Sequence, residues 1–115
     1  MSNKSIEILS QELFAMVTEL CATFYDDANV KSQIKRACLS IGANKAEAKY
    51  AESSLDFVHK LSISLKECAE TKYWLETLYV VESVPKDKLK KAINKCGSIE
   101  RKLVASIKKV KEKLI

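Results

Sequence analysis

Glycine and proline are scarce, with two of the first and one of the second in 115 residues. A β-sandwich or barrel of this length turns every ~8–12 residues and draws on Gly, Pro, Asn or Asp at each turn. That supply is missing, so the composition points to an all-α chain. Long hydrophobic runs are missing too: none approaches the ~20 residues that cross a bilayer. Glu7 and Glu12 interrupt the early apolar positions, and no small-residue cleavage site follows them. No signal peptide and no membrane partner are expected, and the expected compartment is the cytoplasm.

Catalytic signatures are equally thin. His59 is the sole histidine, and no Gly-rich phosphate loop, Gly-x-Ser-x-Gly or His-Glu-x-x-His occurs. Glu47, Glu67 and Glu70 suggest helical metal ligands, but the Glu-x-x-His pairs that build di-iron bundles are absent. Cys21, Cys38, Cys68 and Cys96 are spaced too widely for Cys-x-x-Cys geometry, and each falls on or beside an apolar stripe. They read as buried free thiols in a reducing compartment. A non-enzyme without cofactor or metal is expected.

What is present is a helical period. Hydrophobic residues make up 47% of the chain and charged residues 30%, ordinary values for one globular domain spanning 1–115. Apolar residues recur at helical spacing in four segments. The first runs from about Ser5 to Tyr25, with Ile6, Leu9, Leu13, Met16, Val17, Leu20 and Phe24 on one face. The second, about Asn29 to Tyr50, carries Val30, Ile34, Ala37, Cys38, Ile41 and Ala48, with Asn29 as the expected N-cap. Ser53 and Asp56 open the third like a capping box, and its inward stripe is read as Phe57, Val58, Leu61, Leu65, Cys68, Ala69, Leu75 and Tyr79. Pro85 starts the fourth, with Leu89, Ala92, Ile93, Cys96, Ile99, Leu103, Ile107, Val110 and Leu114 inward. Short connections make neighbours antiparallel, which predicts an up-down-up-down four-helix bundle.

Three features exceed a plain bundle. Charge is uneven: residues 86–115 hold eleven Lys or Arg against three acids, a net +8, while residues 1–85 carry a net −3. On a helical wheel Lys90, Lys91, Lys95, Arg101, Lys102, Lys108, Lys109 and Lys113 point away from the apolar stripe and form a basic ridge. Such a ridge attracts phosphate backbones through counterion release without reading base sequence; the plainer alternative is a solvated lysine face, and a third, a helix lying on anionic lipid, is weaker because the apolar stripe is needed to close the bundle. No aromatic residue lies in this helix to stack on bases.

Second, apolar residues lie opposite the expected core stripe: Ile63, Trp74 and Leu78 in the third segment, and Leu39, Ala43, Ala46 and Tyr50 in the second. A helix apolar on two faces buries both, so self-association is expected; the competing reading is a scaffold that docks a different protein through Trp74, Ile63 and Leu39. Third, Gly42 sits mid-helix, where glycine costs ~1 kcal/mol against alanine, and signals close approach of another backbone. Arg36, Ser40, Asn44 and Glu47 run beside it on one flank as candidates for inter-helix hydrogen bonds.

Three linked segments carry a family likeness: Arg36-Ala-Cys-Leu-Ser-Ile-Gly-Ala-Asn-Lys-Ala-Glu-Ala48; Ser54-Leu-Asp-Phe57 with Lys60-Leu-Ser-Ile-Ser-Leu-Lys-Glu-Cys68; and Glu70-Thr-Lys-Tyr-Trp-Leu-Glu-Thr-Leu78. They resemble the four-helix-bundle family of 23S rRNA intervening-sequence proteins. The positions matching its motif are Arg36, Ser40, Asn44, Glu47, Asp56, Phe57, Lys60, Glu70, Tyr73 and Trp74. The resemblance implies a small bacterial bundle without established enzymatic activity. It also implies a ring-shaped homopentamer and, by likeness to accessory variability proteins of diversity-generating retroelements, RNA or DNA and a reverse transcriptase or other protein as partners. Lys45 departs from the pattern: it stands where the family usually has an aliphatic residue, on the core side near Cys38 and Ile41. A lysine there must be paired, snorkelled or neutral.

Overall fold

The computed structural model describes residues 4–114, folded as four helices: α1 Ile6–Phe24, α2 Ala28–Glu47, α3 Ser54–Leu78 and α4 Lys86–Lys113. Each start has a local cause. Ser5 Oγ accepts from the Ile8 amide at 3.1 Å, and Ser53 Oγ from the Asp56 amide at 3.0 Å, satisfying first-turn donors that no helical carbonyl reaches. Asp56 returns the contact by accepting from the Glu52 amide at 3.1 Å. The cap of α2 is Asp27, whose carboxylate accepts from the Val30 amide at 3.0 Å, and not Asn29, which lies inside the helix. The second segment also stops being α-helical at Glu47; Ala48–Tyr50 tightens into one turn of 3₁₀ helix before the corner. Pro85 occupies the cap of α4, where its missing N–H costs nothing.

The helices form a square in which α1 and α3 are diagonal, as are α2 and α4, and every other pair is in contact. The bundle measures 49 × 30 × 20 Å. Among the described residues no helix is long and apolar enough to cross a membrane.

The core follows alternating steps of three and four residues. In α4 it takes Leu89, Ala92, Cys96, Ile99 and Leu103; in α3 it takes Leu61, Ser64, Cys68, Thr71, Leu75 and Leu78. This is the spacing of left-handed knobs-into-holes packing. It corrects the reading of the third segment. Leu78, expected on the outer face, is 1% exposed and belongs to the core, while Ala69 of the expected inward stripe is exposed. The misreading has a physical source. Two core positions carry hydroxyls: Ser64 Oγ donates across to the Ile41 carbonyl at 2.7 Å, and Thr71 Oγ1 donates to the Glu67 carbonyl at 2.8 Å. Both are thereby satisfied in an apolar setting, but in the sequence they hide the stripe.

Gly42 marks a close approach, but of a side chain and not of the backbone that was expected. A methyl group added there would lie 2.4 Å from Ser10 Oγ on α1, so α1 and α2 meet closely at this level. Ser10 is held in place by donating to the Glu7 carbonyl at 2.8 Å.

Candidate functional site

The outer face of α4 gathers most of the cations expected there. Lys90, Lys91, Arg101, Lys108, Lys109 and Lys113 are exposed and Lys102 is half-buried. The pairs 90/91, 101/102 and 108/109 recur after eleven and then seven residues. At 1.5 Å per residue they stand about 17 and then 11 Å apart along the axis, in two parallel files on one side of the helix. Arg101 leans back to donate to Ser98 Oγ at 3.4 Å, and its guanidinium covers Gly97. None of the other six has an ion-pair partner among the described residues.

Lys95 is the exception and corrects the sequence reading. It turns into the seam between α1 and α4, is 23% exposed, and pairs with Glu12 at 2.8 Å, while Lys88 pairs with Glu19 at 3.1 Å. The cause lies in α1, which carries Glu7, Glu12 and Glu19 and no Lys or Arg between Ile6 and Phe24. The flank of α4 that faces this acidic helix is neutralised, and the cations beyond it are left to solvent. Lys4 and Lys95 both hold the Glu12 carboxyl below its ordinary range by hydrogen bonding.

The expected apolar faces separate in the structure. Leu39 is 55% exposed and Ala43 is exposed, both beside a cleft of about 370 Å³ between α1 and α2 whose wall also includes Phe14, Gly42 and Ala46. Tyr50 stands apart at the corner after α2, 86% exposed. Ile63 and Trp74 are half-buried, and Trp74 packs partly on the core with its Nε1 buried and unbonded. Tyr73, which the sequence reading did not count among the outer apolar residues, is 61% exposed and meets the Trp74 ring edge-on at 5.5 Å.

Residues 3–105 match the family described as 23S rRNA-intervening sequence protein. The chain belongs to this family. A similar solved structure is a protein of unknown function from the S23 ribosomal protein family of Bacteroides thetaiotaomicron VPI-5482. The two are 33% identical with a TM-score of 0.82, over 90% of this chain and 99% of that one. No curated protein matches.

In this member of the 23S rRNA-intervening sequence family four of the motif residues link α2 to α3. Arg36 reaches Glu70 at 2.7 Å and Glu67 at 3.8 Å, and Glu47 meets Lys60 at 3.4 Å. Asn44 donates to the Ser40 carbonyl at 2.8 Å within α2, and Asp56 caps the start of α3. Phe57 packs at the edge of the core. The two ends of the polar file, Arg36 and Glu47, thus tie α2 to α3, while Asn44 bonds within its own helix. Lys45 is paired, reaching Glu7 at 3.3 Å with its side chain 18% exposed; Lys49 reaches the same oxygen at 3.5 Å. Burial works to raise the Glu7 carboxyl, but its own backbone N–H and the two lysines outweigh it and leave the group below the ordinary value.

The four cysteines are free and buried. Cys68 Sγ lies 3.3 Å from the Cys96 carbonyl, joining α3 to α4. Burial pushes the Cys38 thiol up to about 12, a poor setting for a nucleophile or metal ligand at neutral pH.

Proposed function

We propose that this chain is a non-catalytic, self-associating bundle of the cytoplasm that binds RNA or another nucleic acid through α4 without reading base sequence. The observation that carries the reading is the double file of cations without an ion-pair partner among the described residues, Lys90 and Lys91, Arg101 and Lys102, Lys108 and Lys109, on a helix whose other flank is neutralised by α1. Steps of about 17 and 11 Å suit a flexible or helical phosphate chain gripped at intervals. The helix has no aromatic platform, which fits backbone attraction and not base stacking.

A filter-binding titration of single-stranded RNA across salt tests it. Six phosphate contacts give a log–log slope near −4, at ~0.7 per contact for single strands. Weak binding with a flat salt response at low ionic strength overturns it.

Self-association is supported by the α1–α2 cleft with Leu39 on its rim, and the pentameric ring is what the resemblance adds. Sedimentation of a lone folded protomer at high micromolar concentration removes that half. The same exposed Leu39, with Tyr73 beside Trp74, favours a second reading, a scaffold for a different protein. Charge reversal at Lys90, Lys91, Lys108 and Lys109 separates the two: loss of binding favours the polyanion, indifference the scaffold.

A further inference from the structure

Antiparallel packing brings the start of α1, the α2–α3 corner and the end of α4 to one end of the bundle. Eight large hydrophobic residues are exposed among the described residues, and five of them lie at this end: Ile8, Tyr50, Leu55, Val104 and Leu114. Leu55 is 71% exposed, Val104 48% and Leu114 47%.

The reason is length. The pairs Lys88–Glu19 and Lys95–Glu12 show α4 descending beside α1 one residue for one, so the first turn of α1, at Ile6, lies near the level of Arg101 and nothing of that helix extends beyond it. The stripe that buries Leu89 to Leu103 nevertheless continues through Ile107 and Val110 to Leu114, with only the beginning of α3 beside it. Leu65, Val104 and Ile107 line an open groove of about 410 Å³ there, bordered by Lys108, Lys111 and Glu112. Lys108, Lys109, Lys111 and Lys113 are all exposed and without an ion-pair partner among the described residues.

A site for phosphate backbones alone has no use for leucine and valine. Apolar side chains flanked by free lysines match a surface with hydrocarbon beneath a layer of negative charge. We infer that this end of the bundle docks on the surface of an anionic lipid bilayer. Val104 and Leu114, with Leu55 at the corner, enter the acyl boundary, and the lysines extend to the headgroups. The bundle core stays closed, since the stripe that enters lipid lies past the first turn of α1. The inference shares Lys108 and Lys109 with the RNA reading and is told apart from it by the apolar residues, which that reading does not use.

Flotation of the full chain with vesicles tests it, comparing pure phosphatidylcholine with vesicles containing about one third phosphatidylglycerol. The expected partition is at least ~10-fold higher on the anionic vesicles. The double substitution Leu55→Ser with Val104→Ser, both at exposed sites and checked for helicity, lowers that partition at least ~10-fold and leaves RNA affinity unchanged. Lys108→Gln with Lys111→Gln lowers it as well. Equal partition on both vesicle types, an apolar double variant that floats like the parent, or RNA binding without any flotation each overturns the inference. So does a concentration-dependent dimer abolished by the apolar substitutions in the absence of lipid binding, which assigns the patch to a second copy.

Discussion

Helices α3 and α4 obey the same packing rule and differ in how openly their residues declare it. Every core position of α4 from Leu89 to Leu103 is apolar, and its outer face is charged. The core of α3 includes Ser64 and Thr71, and its outer side carries Leu55, Tyr73 and half of Trp74. A helix can thus be buried along a strict three-and-four repeat while its sequence reads as apolar on two sides, provided that the hydroxyls inside find carbonyls.

The largest test of that contrast is Leu78→Ala. A fully buried leucine truncated to alanine loses ~2–5 kcal/mol, whereas Leu39→Ala on the exposed face of α2 changes folding stability by less than ~0.5 kcal/mol. Urea denaturation measures both, and similar small effects would return Leu78 to the outer face. Next comes Gly42→Ala, where crowding against Ser10 destabilises by ~1–2 kcal/mol despite alanine's better helix propensity. In a Ser10→Ala background the loss disappears, and a simple sum of the two single effects would show that the contact is not the cause.

Smaller effects separate the two core hydroxyls of α3. Ser64→Ala removes the bond to α2 and costs ~1 kcal/mol, leaving the Ile41 carbonyl short of a donor. Thr71→Val only removes a bond within its own helix and is neutral or slightly stabilising. Equal losses at both sites would deny Ser64 its inter-helix role. The smallest effect concerns Glu7. Its folded carboxyl titrates below the ordinary value, so its contribution is complete above the ordinary carboxylate range and is lost as pH falls through the depressed value. Glu7→Gln therefore flattens the acid limb of the stability curve, read as the denaturation midpoint against pH.

The fold was legible wherever local rules and tertiary packing agreed. Helix number, antiparallel order, the Ser53–Asp56 start and the close approach at Gly42 follow from caps, periodicity and one costly glycine. Leu78 was misassigned because polar core residues blur a stripe, and a fixed 100° wheel drifts from a seven-residue repeat along a helix as long as α3. The basic ridge was legible as charge per helix. The withdrawal of Lys95 was not, because it depends on which helix lies alongside: only adjacency to the acidic α1 reveals which cations are already spent. Likewise, the overhang of α4 depends on where α1 begins.

The thiols hold one more consequence. All four sit in the closed interior; burial keeps Cys38 protonated, and the contact from Cys68, with burial second, does the same for Cys96. An alkylating reagent meets a reactive sulfur only while the helices are parted. Labelling speed therefore counts opening events, and a bulky adduct, once attached, bars the helices from closing again. The chain carries within it a reporter of its own unfolding and a point at which a single chemical event makes that unfolding permanent.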